Sequence, residues 1–480
     1  MNFRVVFKLI GRILLLLAGS MVLPLLVALL YGESPAPFLY SILLLGVIGG
    51  GLSALPATSR FYAREGFFAV ALIWLLTGVA GSLPFLFSGW FATPIDCIFE
   101  SCSGFTTTGA TILTEIEPLP KGILFWRSFT HWLGGMGVLV LLLAIIPAGG
   151  RGRGYTMHIL RAESPGPNVG KLVPKMKDTA KILYLIYILL TVLNVVFLLI
   201  GKMPVFDAVC TAFGTAGTGG FGIRNDSIAG YSPYLQNVCT VFMLLFGVNF
   251  SCYYLLLMRK IKNVFRDEEL RMYMGAVIGS IVLIVWNLKG FYGTLGETVR
   301  HAAFQVASIM TTTGFATTDF DLWPSFSKAV LLALMVVGAC AGSTGGGLKC
   351  GRALLLLKSL RRNIRKVLHP QKVQIVRNNG QMVDEKVLEN TNAYLAAYVV
   401  IVLLSFIVIS LDGFSITTNI SAVLACFNNI GPGFDAVGPT CNFAAYSPLS
   451  KVVLIADMLA GRLEIFPILI LFSRSTWSHR

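Results

Sequence analysis

Four short phrases of threonine and glycine recur along this chain of 480 residues: Thr107-Thr108-Gly109, Gly217-Thr218-Gly219, Thr312-Thr313-Gly314 and, more loosely, Asn429-Ile430-Gly431. Each closes a mostly apolar segment of about a dozen residues, too short to cross a bilayer, set between two apolar runs that are long enough. Four re-entrant turns of this composition can form a ring of backbone carbonyls that replaces the water around a dehydrated cation. Glycine lets the carbonyls point inward through backbone angles other residues avoid. Threonine hydroxyls add oxygen ligands at the inner mouth, and a hard cation takes oxygen rather than sulfur or nitrogen. A single Thr-Thr-Gly is common in turns; its fourfold recurrence at matching places carries the inference.

The copies are unequal. Gly217 replaces the first threonine in the second, and the fourth reads Asn429-Ile430-Gly431-Pro432 with none. Each has one principal glycine where a strict Thr-Val-Gly-Tyr-Gly filter has two, so fewer coordination layers and looser discrimination are expected.

Gly338 to Lys349 interrupts an apolar run, and Gly342–Leu348 holds four glycines. A straight helix disfavours that composition, so a broken span with an intramembrane loop is expected, placed to block a pore below the turns. The alternative is a glycine-rich packing face. A phosphate loop is excluded, because Leu348 stands where lysine is required and no strand precedes it. The last span carries Asp457, Arg462 and Glu464. A charge at the bilayer centre costs about 2.5–3.5 kcal/mol, so these face protein: either as an internal ion pair, or with Arg462 beside the pore repelling cations. Arg127 and His131, within Trp126–Gly137, read as aromatic-belt anchoring and helix packing.

Apolar residues make up 55% of the chain and charged residues 13%, about half the charge of a soluble chain. The fold class is therefore an all-α polytopic membrane protein: four fused helix–pore-loop–helix units around one pore, plus an N-terminal helix pair. The expected division is a helix pair over 1–60, unit 1 over 66–148, unit 2 over 180–262, unit 3 over 270–358 with a broken second helix, a cytoplasmic loop over 359–389, and unit 4 over 390–475. Pro94, Pro204 and Gly296 lie near the starts of three short segments, which read as half-helices whose negative C-terminal ends face the centre.

The net charge of +15 does not indicate nucleic-acid binding. Most of the 38 Lys and Arg fall in one alternate set of loops and ends, which places both termini in the cytoplasm and all four turns outside. The N-terminal apolar run lacks a cleavage site and reads as an uncleaved first helix. The nine cysteines show no CxxC spacing and read as small buried hydrophobes. In the loop 359–389, Asn379-Gly380 signals a hairpin, on a basic segment that either faces anionic lipid or docks a cytosolic subunit.

Taken together, Phe105–Thr111, Trp126–Gly137, Thr218–Phe221, Thr311–Phe315, Gly342–Lys349, Asn429–Gly433 and Gly461–Glu464 resemble the TrkH/TrkG/KtrB superfamily of bacterial potassium uptake proteins. The likeness spans nearly the whole chain. Length and the extra helix pair are similar to the TrkH branch rather than the shorter KtrB branch. The resemblance implies a homodimer in the bacterial inner membrane, one pore per protomer, gated with a cytosolic, nucleotide-binding, TrkA-like subunit. It implies K⁺ as the transported ion, with no cofactor in this chain. It carries the filter onto Gly109, Gly219, Gly314, Gly431 and their preceding residues, the gate onto Gly345, Gly346, Gly347 and Lys349, and the pore arginine onto Arg462.

Three alternatives stay in view. Coupling to protons or sodium would need the same filter. A transporter of a small organic solute predicts inverted repeats, whereas the four units here enter from one side. An intramembrane hydrolase using Ser343 lacks a histidine at matching depth.

Overall fold

The computed structural model describes residues 3–56, 63–137 and 176–472. The end of the first unit beyond Gly137 and most of its basic loop lie outside the described residues, as do 57–62 and 473–480. The chain is helical almost throughout. Helices α1 (Phe3–Ser20), α2 (Val22–Leu30) and α3 (Ala36–Ser53) form the N-terminal group. Gly11 of α1 and Gly49 of α3 face each other so closely that a β-carbon on either would lie under 3 Å from the other's carbonyl oxygen. Small residues bring helix backbones together in this way where no hydrophobic effect drives association.

Four sets of helices follow. The first has α4 (Ala63–Gly81), α5 (Leu83–Ser88), the short α6 (Pro94–Phe105) and α7 (Lys121–Gly135). The second has α8 (Met176–Ile200), the short α9 (Val205–Gly217), α10 (Pro233–Phe246) and α11 (Phe250–Leu257), with α12 (Ile261–Arg266) leading on. The third has α13 (Glu268–Asn287), the short α14 (Leu295–Met310), α15 (Ser325–Val337) and α16 (Cys350–Leu368). The fourth has α17 (Glu385–Ile409), the short α18 (Ile416–Phe427), α19 (Pro448–Arg462) and α20 (Phe466–Phe472). Three of the short helices start on side-chain caps. Thr93, Thr294 and Ser415 accept the N–H groups of Asp96, Glu297 and Thr418, satisfying donors that have no partner inside a helix.

Six helices among the described residues are long and apolar enough to cross a membrane, and the bent pair α10–α11 makes a seventh. Among the described residues, the second spans of the second, third and fourth units are broken, which lowers that count. Helix α10 ends at Phe246, and α11 leaves it at 88°. A loop separates α15 from α16, as the glycine run predicts, and Leu463–Ile465 separates α19 from α20. The outer faces are apolar: Val47 is 76% exposed and Trp286 70%. Polar groups such as Glu100, Arg127, Thr130 and His131 are buried inside. That inversion suits a chain whose surroundings are lipid and whose centre is polar.

On the basic side, β1 (Arg377–Asn378) and β2 (Gln381–Met382) pair in antiparallel register, Arg377 with Met382 and Asn378 with Gln381. The turn residues Asn379 and Gly380 have φ of 50° and 78°, the two positive values a tight type I′ hairpin turn requires. All nine cysteines are free, and every one except Cys441 is buried.

Candidate functional site: a ring of four turns

Each short helix ends in the same way. Thr107, Thr218, Thr312 and Asn429 have φ of 57°, 54°, 58° and 55°. Their N–H groups reach back to the carbonyls of Gly104, Thr215, Ile309 and Cys426. The next residue of each reaches back five, to Ser103, Gly214, Ser308 and Ala425. This is the Schellman ending of a helix, with glycine's usual place taken by threonine or asparagine. A left-handed β-branched residue is strained, and its presence in three of four equivalent turns marks a functional constraint.

Two residues on, Gly109, Gly220, Gly314 and Gly431 have φ of 81°, 74°, 85° and 102°. A methyl group at Gly109 would strike the carbonyl of Gly219; at Gly220, that of Thr313; at Gly314, that of Ile430; and at Gly431, that of Thr108. Every turn thus lies against the carbonyl just before the glycine of the next, and the fourth returns to the first. The four turns close into a ring in chain order. The same four glycines meet in the lining of one cavity, which Thr111 and Asn225 also line.

The second turn is displaced by one residue from the expected register. Spacing sets Gly217-Thr218-Gly219 against Thr107-Thr108-Gly109, whereas the backbone sets Thr218-Gly219-Gly220 there. Gly217 belongs to the last turn of α9 and lies against the carbonyl of His131. Gly219 takes the place of Thr108, Thr313 and Ile430. It is small because the His131 ring occupies the position its β-carbon would fill.

Threonine hydroxyls bind one another and the helix ends. Thr106 Oγ1 donates to Cys102 O at 2.6 Å and lies 2.8 Å from Thr108 Oγ1. Thr311 repeats this with Ala307 O and Thr313 Oγ1, both at 2.7 Å. In the fourth turn Asn429 Nδ2 donates to Thr108 Oγ1 and to Met458 O, each at 3.0 Å. Asparagine there ties the last turn to the first.

The loop between α15 and α16 packs under the third and fourth turns. Gly346 N–H donates to Thr312 Oγ1 at 2.6 Å. A β-carbon at Gly345 would lie 2.8 Å from Thr311 O, and one at Gly346 would strike Asn428 O. Gly347 has φ of 78°, so both close approach and backbone angle call for glycine here. Lys349 folds back and donates to Gly345 O within the loop. Arg462, at the end of α19, joins three parts. Its guanidinium donates to Thr344 O at 3.0 Å and Gly135 O at 2.8 Å, to Gly134 O, and to Thr107 Oγ1 at 3.4 Å. Of the other two ionisable residues of the last span, Glu464 pairs with Arg352, and Asp457 accepts from Ser405 Oγ at 2.7 Å.

Arg127 and His131 are buried against the ring, which fits the helix-packing half of the expectation and not belt anchoring. Arg127 is 1% exposed and pairs with Glu100, itself 0% exposed. Glu100 accepts Thr111 Oγ1–H and the Ile112 N–H, while Arg127 donates to Gly222 O at 3.2 Å and stacks on Phe221. The pair thereby fastens the chain leaving the first turn to the chain leaving the second. His131 Nε2 accepts the Phe221 N–H at 3.2 Å, so the proton sits on Nδ1, which donates to Gly104 O at 2.8 Å. A glutamate inside a short apolar segment was the signal in the sequence. Removing one partner of a buried ion pair costs about 3–5 kcal/mol. Arg127→Ala is expected to lower thermal stability in detergent by that order, and Glu100→Gln/Arg127→Met to recover much of the loss. A melting temperature unchanged in Arg127→Ala would remove the pair from this role.

Four helix–turn–helix sets closed around one axis define a pore-type, polytopic membrane transport fold. The family model for TrkH, described as a cation transport protein, matches residues 38–285 and 293–479, and the chain belongs to that family. It is 38% identical over 487 residues to the Trk system potassium uptake protein TrkH of Salmonella typhimurium, covering 99% of this chain and 100% of that protein. It is 34% identical to the Trk system potassium uptake protein TrkG of Escherichia coli, covering 99% and 98%. The crystal structure of the potassium transporter TrkH from Vibrio parahaemolyticus superposes with a TM-score of 0.89 at 33% identity, with both chains fully covered. Membership places the chain among transport proteins rather than enzymes.

Proposed function

We propose that this chain carries out potassium uptake across the bacterial inner membrane, with the ring of four turns as its selectivity filter. The single observation that carries the proposal is the closed ring, in which each glycine makes room for the next turn's carbonyl. Carbonyl oxygens so held can replace the hydration shell of K⁺. The loop Gly345–Gly347 with Lys349 is the gate, and Arg462 is the positive charge beneath the filter. Both termini face the cytoplasm, the chain works as a homodimer, and a nucleotide-binding cytosolic subunit of the TrkA kind opens the gate from the basic side. The names of the relatives support potassium uptake within a multi-component system, and the distribution of Lys and Arg supports the orientation.

The test is ⁸⁶Rb⁺ uptake into proteoliposomes holding this chain alone, with a K⁺ gradient and no proton or sodium gradient. Uptake blocked by K⁺ and weakly by Na⁺ is expected for a passive selective pore. Uptake that needs an added proton or sodium gradient would replace it with coupled transport, and block by amino acids or sugars would overturn the potassium assignment.

A further inference from the structure

Three consecutive acidic residues open α13, and each holds a different part of the molecule. Asp267 Oδ1 caps the helix at Leu270 N–H, and its Oδ2 accepts from Asn379 Nδ2 at 2.9 Å. Asn379 is at the tip of the β1–β2 hairpin, and its Oδ1 accepts the Glu268 N–H at 2.9 Å. Glu268 pairs with Lys358 of α16, whose ammonium also donates to Arg377 O at 2.8 Å, on the same hairpin.

Glu269 turns to the loop. Its Oε1 accepts the Ala341 N–H at 2.6 Å and the Gly351 N–H at 2.9 Å. These two residues stand just before and just after the segment Gly342–Cys350. One carboxylate oxygen therefore holds both ends of the interrupted span together. Gly351 is also in the first turn of α16, where the N–H groups lack helical partners and favour negative charge. Hydrogen bonds to a charged acceptor are the stronger kind. The carboxylate that closes the loop sits next in sequence to the two that grip the hairpin.

We infer that Glu269 is the latch that keeps the intramembrane loop closed, and that Asp267–Glu269 link the cytoplasmic hairpin to it. The inference rests on the loop being the gate. A pull on the hairpin moves the start of α13, withdraws the carboxylate from Ala341 and Gly351, and loosens the two ends of the loop, which then rest on direct bonds such as Cys350 N–H to Ala339 O. Glu269 is a positioning residue and touches no ion.

The experiment compares ⁸⁶Rb⁺ flux through the full chain in proteoliposomes without any partner. Glu269→Ala is expected to raise basal flux about tenfold, one order for a shift of one RT ln 10, and Glu269→Gln, which keeps one accepting oxygen, to raise it less. In a chain lacking Gly345–Gly347, Glu269→Ala should add nothing, because coupled changes are not additive. Cys340 and Cys350 are both 0% exposed and flank the loop, so they report its position without introduced cysteines. A small methanethiosulfonate reagent should modify them faster in Glu269→Ala, read by peptide mass spectrometry. A lower melting temperature with unchanged flux and thiol rates would make Glu269 a helix cap alone and overturn the latch. If the glycine deletion raises flux and Glu269→Ala does not, the latch fails and the gate stands. If neither raises it, the gate reading fails and takes the latch with it.

Discussion

Replacing Gly314 by serine should cut the preference for K⁺ over Na⁺ by about tenfold or more, equivalent to ~1.4 kcal/mol. Two separate features demand glycine there. Its φ of 85° is strained for any side chain. The space a β-carbon would take is held by the carbonyl of Ile430 in the next turn, with Pro432 behind it at 3.0 Å. A serine must therefore push one carbonyl of the ring out of place. The measurement is inhibition of ⁸⁶Rb⁺ uptake by K⁺ and by Na⁺, in protein shown to be folded by gel filtration. Gly296, in the first turn of the same short helix, has nothing within 4 Å of a β-carbon, and Gly296→Ser should leave the preference as it was. An unchanged ratio in folded Gly314→Ser would mean that the turns are structural and selection lies elsewhere.

The class of fold and the four turns were legible because each rests on local pattern. Apolar length marks the spans, and a turn that ends a short apolar segment marks itself. The register of the second turn was not legible. Gly217-Thr218-Gly219-Gly220 allows two frames, and the frame that occurs puts threonine in a left-handed conformation that propensity argues against. Only the neighbouring carbonyls, which belong to another unit, decide between them. The break in the third unit was readable from four glycines in seven residues. The sharp bend between α10 and α11 was not, since Gly247-Val248-Asn249 contains no proline. Its cause is tertiary: Asn249 caps α11 through Ser251 N–H, and the Gly247 carbonyl accepts the Cys340 N–H. Arg127 and His131 read only as belt anchoring and helix packing because their polar partners lie 27 and 90 positions away. Long-range polar contacts of this kind leave no periodic trace in a sequence.

Deleting Gly345–Gly347 should raise partner-free ⁸⁶Rb⁺ flux by about an order of magnitude, if the loop is the gate. The loop is held by few bonds across the ring, among them Gly346 N–H to Thr312 Oγ1. Its frame survives independently, through Cys350 N–H to Ala339 O and Cys340 N–H to Gly247 O. The deletion thus removes the plug while leaving the ends anchored. Arg462→Ala should raise flux as well, for a different reason. Two unit charges 4 Å apart interact by about 4 kcal/mol at an effective dielectric of 20, enough to keep a cation from resting beneath the ring. The arginine also holds the carbonyls of Thr344, Gly134 and Gly135, so alanine alone confounds charge with support. Arg462→Lys separates them. Lysine keeps the charge and loses the fork of donors, so flux near the native level in Arg462→Lys with raised flux in Arg462→Ala assigns the effect to charge. Raised flux in both variants assigns it to the hold on the loop. Native flux in the deletion and in Arg462→Ala, from folded protein, would leave the pore without a gate at this level and move the barrier to the ring itself.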